Sequence, residues 1–207
     1  MVNTALYNST GTAYLSTTVG AVYSYMDGPR DDRVRYDTPT IMGFTGTGSF
    51  SSGGASGAAL RYDNKIGAFK VQGGIGYYNQ NGISSTNDDE VSGSLSVLHD
   101  SGVNASFSAG NRNHKDSSAT VSVDDATSIG GSVGYIAKIF GVGPTAFSAD
   151  VYKAENINRV NTSATTNEWG VTTWGLGAQQ SFADIGTDVY LGYRNFDVSA
   201  PSTYTGS

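Results

Sequence analysis

Apolar residues recur at every second position along this chain, in short runs, and no stretch carries the spacing of an amphipathic helix. In AFKVQGGIGYY, Phe69, Val71, Ile75 and Tyr77 fall on one face of an extended strand. Lys70, Gln72, Gly74, Gly76 and Tyr78 fall on the other. In VNASFSAG, Val103, Ala105, Phe107 and Ala109 oppose Asn104, Ser106, Ser108 and Gly110; in DVYLGYR, Val189, Leu191 and Tyr193 oppose Tyr190, Gly192 and Arg194. FTGTGSF, ALRY, VSGSLSV, SIGGSVGY, TAFSADVY and TWGLGAQQ read the same way. With RVRYDT, where Arg33 and Arg35 alternate with Val34 and Tyr36, the pattern predicts about ten strands.

The connections are of two kinds. Short turns are expected near residues 39–43, 63–67, 99–102, 139–144 and 181–186, marked by Pro39 and Gly43, Asp63-Asn64, Asp100-Ser101-Gly102, Gly141 to Pro144, and Asp184 to Gly186. Longer polar loops are expected at 79–89, 112–127 and 154–167, with a short one at 52–56. Short and long connections alternate, so they gather at opposite ends of the sheet. This is an all-β, antiparallel up-and-down meander with no internal domain boundary.

Such alternation serves two architectures. A soluble β sandwich or barrel, such as a surface-displayed binding or adhesive domain, turns its apolar face inward. A membrane barrel turns it outward to lipid and encloses a polar lumen. A small soluble barrel must fill its interior with bulky side chains. Here the apolar face is built from Ala, Gly, Val and single aromatics, with few Leu or Ile, which suits lipid better than a packed core. Aromatics near strand ends, Tyr62, Tyr77, Tyr135, Trp169 and Tyr193, fit interfacial girdles.

Composition narrows the choice. Charged residues make up 14% of the 207 positions, against about a quarter in soluble domains. Mean hydropathy is −0.26, unlike a helical membrane protein. A formal net charge of −6 argues against a general nucleic-acid partner. Cys is 0, which removes disulfides and thiolate metal sites. No apolar run approaches the roughly 18–20 residues of a spanning helix, and the first residues lack the basic and apolar regions of a signal peptide.

The stretch DDRVRYDTPTIMGFTGTGSF, followed by GAALRYDNKIGAFKVQGGIGYY, resembles the Gram-negative general diffusion porins, and TTWGLGAQQSFADIGTDVYLGYRNFD resembles the closing part of the same family. The resemblance covers about Asp27 to Asp197. It implies a transmembrane β-barrel in the bacterial outer membrane, typically of 16 strands and homotrimeric, through which ions and small polar solutes diffuse passively. It implies no enzyme activity and no cofactor. In that family the third loop folds into the lumen opposite a ladder of basic residues. The arginine-bearing strand follows this loop, so RVRYDT places the constriction loop within residues 1–28. The roughly ten strands here are then the sixth to the fifteenth of a barrel truncated at both ends. Residues 1–26 carry none of the carboxylates that often oppose the basic ladder.

Within that reading Arg33 and Arg35 point into the lumen while Val34 and Tyr36 face lipid. Arg61, Lys70 and Arg194 share the inward parity, and Arg112 is a further candidate near a loop. The competing reading of Arg33 and Arg35 is salt bridging to Asp31, Asp32 or Asp37, and of Arg61 pairing with Asp63.

Other constellations carry less. Asp88, Asp89 and Glu90, and Asp124 with Asp125, lack the ligand spacing of a calcium loop and read as solvated loop charge. His99 and His114 stand far apart, which makes no metal site. Serines are abundant, but none sits in a Gly-x-Ser-x-Gly elbow with an obvious triad. The Gly-rich GGIGYY and SIGGSVGY lead into strands, not helices, so they are not phosphate loops.

Overall fold

The computed structural model describes residues 5–7, 14–18, 32–80, 84, 87–115, 124–162 and 165–199. Ten strands form one antiparallel sheet in strict chain order: β3 (Arg33–Asp37), β4 (Phe44–Ser51), β5 (Ser56–Ile66), β6 (Phe69–Asn79), β7 (Asn87–His99), β8 (Val103–His114), β9 (Ala126–Phe140), β10 (Gly143–Thr162), β11 (Thr165–Phe182) and β12 (Thr187–Ser199). Among the described residues the sole helix is a 3-10 turn, Ala183–Ile185. Two short strands, β1 (Ala5–Tyr7) and β2 (Tyr14–Thr18), pair in a sheet of their own. The rest of the expected constriction loop, residues 1–28, lies outside the described residues.

The meander follows from tight turns that match strand twist. Ile41 and Phe44 exchange both backbone hydrogen bonds at 2.9 Å around Met42 (φ 52°) and Gly43 (φ 88°). This is the type I′ geometry that hairpins favour. Gly43 is needed twice over there, because a Cβ would also stand 2.9 Å from the Asp63 carbonyl. The next turn at this end closes between Ile66 and Phe69; beyond it His99 accepts a 2.8 Å bond from the Gly102 N–H.

Register fixes which residues share a face. One row runs Asp63, Gln72, Ser96, Ser106, Ser132, Asp150, Gly175, Arg194 across β5 to β12. The opposite face carries Val71, Val97, Ala105, Val133, Ala149, Leu176 and Tyr193 in one row. Of the apolar residues singled out in the sequence, Phe69, Ile75, Phe107, Val133, Phe147, Leu176 and Leu191 are exposed, and Val71 is half-buried. Among the described residues the buried apolar side chains are only Ala55, Ala126, Tyr152, Ala154 and Val171. A sheet in water must bury its apolar face against a second layer; this one leaves that face bare. From Phe69 to Tyr77 the apolar positions of β6 cover roughly 20 Å at a strand tilt near 40°, close to the ~25 Å apolar band of outer-membrane barrels.

Two expectations are corrected. Residues 154–167 are not a long loop. β10 has 20 residues and β11 has 18, and Arg159 to Thr162 pair with Thr165 to Glu168. At 20 residues β10 spans about 50 Å along the barrel axis, roughly twice the apolar band, so the hairpin continues past it. Its polar sequence reads as loop because polar residues outside the membrane carry no alternation, yet backbone pairing persists. The cluster at 88–90 is also not solvated loop charge. It lies in β7, and Glu90 is buried. Trp169 lies in a part of β11 whose side chains are outside the described residues.

Candidate pore-lining face

Glycine, serine and a few long charged side chains make up the polar face. Small residues leave room, and the long ones reach over them to partners on the next strand but one. Asp37 on β3 accepts hydrogen bonds at its Oδ1 from Arg35 Nη2 at 2.9 Å and from Arg61 Nη2, on β5, at 2.6 Å. The Thr47 hydroxyl, on the intervening β4, donates to the same oxygen. Arg61 Nη2 also donates to Thr47 Oγ1 at 3.0 Å. These side chains remain 41–50% exposed, so the pairs add little to stability and matter chiefly as fixed charge.

Arg33 stacks its guanidinium 5.6 Å from the centre of the Tyr78 ring, on β6. That ring lies over Gly57, where a Cβ would meet Tyr78 Cδ2 at 3.0 Å. A cleft of ≈ 280 Å³ runs between these groups, lined by Arg33, Arg35, Thr47, Ser49, Tyr78, Glu90 and Ser92 among others. Lys70 is exposed, stands opposite Lys65 in register, and has no ion-pair partner among the described residues; Lys65 is bound by Asp100 at 2.8 Å.

At the other side of the sheet Arg194 grips Asp150, donating from Nη2 to Oδ1 at 2.8 Å with Nη1 ion-paired to Oδ2 at 2.7 Å, and Nη1 donates to Thr173 at 3.1 Å. The pair bridges β10 and β12 across Gly175 of β11. A Cβ there would stand 3.0 Å from both Arg194 Nη2 and Asp150 Oδ1. Gly175→Val is therefore expected to split the pair and lower the unfolding temperature in detergent. Gly48→Val should not, because nothing lies within 4 Å of its Cβ position.

Arg112 shares the polar face but is buried. It donates to Glu90 Oε2 from Nε at 2.9 Å, and its Nη2 is ion-paired to the same oxygen at 2.8 Å, with side-chain exposures of 10% and 5%. The next residue along β8, Asn113, donates to Asp89.

The five sequence-derived residues Arg33, Arg35, Arg61, Lys70 and Arg194 thus occupy one face of one sheet. Arg33, Arg35 and Arg61 gather on β3 to β5, Lys70 lies nearer the short turns, and Arg194 is apart on β12. The competing sequence reading paired Arg61 with Asp63, but Asp63 accepts from Gln72 Nε2 at 2.7 Å instead. Sequence reading also passed over the Asp150 and Glu90 partners. The paired residues stand 44 and 22 positions apart in the chain, and only the registers bring them together. The signal available was parity: Asp150 and Glu90 both fall on the polar face.

A single-layer antiparallel meander with an exposed apolar face and a polar, charge-bearing face is the wall of a membrane β-barrel. The family model describing Gram-negative porins matches residues 2–201, and the chain belongs to that family. Its place is the bacterial outer membrane, where porins form channels. Comparisons with curated proteins and with solved structures find no match.

Proposed function

We propose that this chain forms part of a passive diffusion channel for ions and small polar solutes, with its polar face lining a water-filled lumen. The observation that carries the reading is the division of the sheet into an exposed apolar face and a face bearing Arg33, Arg35, Arg61, Lys70 and Arg194. Lipid would cover the apolar face, and a homotrimer is the assembly the porin resemblance implies. A soluble or surface-displayed adhesive domain fits poorly, since it would bury Phe107, Val133 and Leu176, which are 52%, 60% and 55% exposed.

Charges fixed along a low-dielectric wall bias the ions that pass, as charged rings do in other pores. Arg33 and Arg35 supply two such charges at the cleft beside Tyr78. In a planar bilayer under a salt gradient, Arg33→Ala with Arg35→Ala is expected to move the reversal potential toward the cation's equilibrium value. Discrete conductance steps from the wild-type protein are the prior expectation. Solubility without detergent, together with no conductance, would favour the adhesive alternative.

A further inference from the structure

We infer that Asp37 is a specificity-determining residue of this channel: its carboxylate cancels one charge of the Arg35–Arg61 pair and thereby sets how strongly the lumen favours anions. The inference rests on the diffusion-channel reading above. Three observations lead to it. First, Asp37 Oδ1 gathers Arg35, Arg61 and Thr47 at one point, so the two guanidiniums are drawn to one carboxylate and not spread as separate charges. The cluster carries a net single positive charge where its arginines alone would carry two. Second, the cluster is solvent-exposed on the polar face, with side-chain exposures of 47% for Arg35, 50% for Arg61 and 41% for Asp37. A passing ion therefore meets the sum of the three charges and not a buried pair. Third, Asp37 shares the polar-face parity of Arg33 and Arg35, being two residues beyond Arg35 on the same strand. The acidic member thus stands within the arginine-bearing strand itself.

Geometry separates this role from a structural one. Asn in place of Asp37 keeps an amide oxygen where Oδ1 stands, so it can still hold two of the three donors while the negative charge is lost. One unit charge about 5–6 Å from the ion path in water changes the local ion concentration roughly threefold. At about 0.1 M salt the screening length is near 10 Å, so much of that effect survives; near 1 M it falls to about 3 Å and the effect fades.

The test compares four forms of the full-length protein in planar bilayers under a potassium chloride gradient near 0.1 M: wild type, D37N, R61Q and the double variant D37N/R61Q. The cluster charges are then one, two, zero and one. D37N is expected to raise the anion-to-cation permeability ratio by roughly fourfold, anions gaining and cations losing about twofold each once screening is included. R61Q should lower it by a similar factor, and the double variant should return close to wild type. A clamp that only holds the arginines in place would survive in D37N and leave both single-channel conductance and reversal potential where they were, and an unmoved reversal potential overturns the inference. If D37N does not insert, R61Q and the double variant decide by the same criterion: equal reversal potentials overturn it, and a roughly fourfold separation in permeability ratio supports it. If wild-type protein opens no channel, the diffusion reading fails first and the inference falls with it. If wild type conducts but its ratio is unmoved by D37N, the channel stands and only the role of Asp37 is lost.

Discussion

Leu95→Arg should prevent stable insertion, whereas Ser94→Arg, one residue away, should insert normally and alter only conduction. Leu95 lies mid-strand on β7, on the apolar face, with Gly73 and Phe107 as its register partners, and is 50% exposed. A guanidinium on the lipid face near the membrane centre costs roughly 2–4 kcal/mol in outer-membrane barrels. That is a large share of the stability of any domain, which is typically about 5–15 kcal/mol. Ser94 has the opposite parity, with Gly74 and Ser108 as partners, and is exposed. An arginine there meets small polar neighbours and water. Folding yield into lipid vesicles, read as heat-modifiable mobility on a gel, checks both variants. A soluble sandwich would bury Leu95 in a core and predicts that detergent and lipid make no difference to either variant.

The second large effect is expected at the buried ion pair. Arg112→Met should destabilise the protein by about 3–5 kcal/mol, because it strips the main counter-charge from a carboxylate that stays buried. Glu90 retains only 5% exposure and receives two nitrogens of Arg112. Replacing both, as Glu90→Gln with Arg112→Met, removes the buried charge as well as its partner. The double variant should therefore lose much less than the single one. Urea titration of the protein in detergent measures the difference, and equal losses in the single and double variants would show that the pair is not a unit. The contrast with Arg35, Arg61 and Asp37 lies in burial. There the groups are half exposed, so removing one should barely move stability while shifting the ion preference.

Much of this was legible before any coordinates. Period two in VNASFSAG and AFKVQGGIGYY is enough to give strands, to sort Phe107 from Ser108, and to put Arg33 and Arg35 on the side away from Val34. Turn chemistry at Pro39 and Gly43 and at Asp100-Ser101-Gly102 joined neighbours into hairpins, so strand order followed. These are local properties: parity needs only the next residue, and a turn needs only four. Hairpin length at 154–167 was misread because Asn, Thr and Glu outside the apolar band have no hydrophobic contrast, and only the partner strand reveals continued pairing.

Local patterning thus specifies the all-β meander, its two unlike faces and the set of basic residues on the polar one. Tertiary structure alone decided which charges meet. Arg61 passes over Asp63, two positions away on its own strand, to reach Asp37 across β4, and Arg194 reaches Asp150 across Gly175. A side chain's reach to the next strand but one depends on register and on the size of the residue between, and neither is encoded near the charge itself. The net field of the polar face, and with it the selectivity that Asp37 is inferred to set, is thus a property of the assembled sheet.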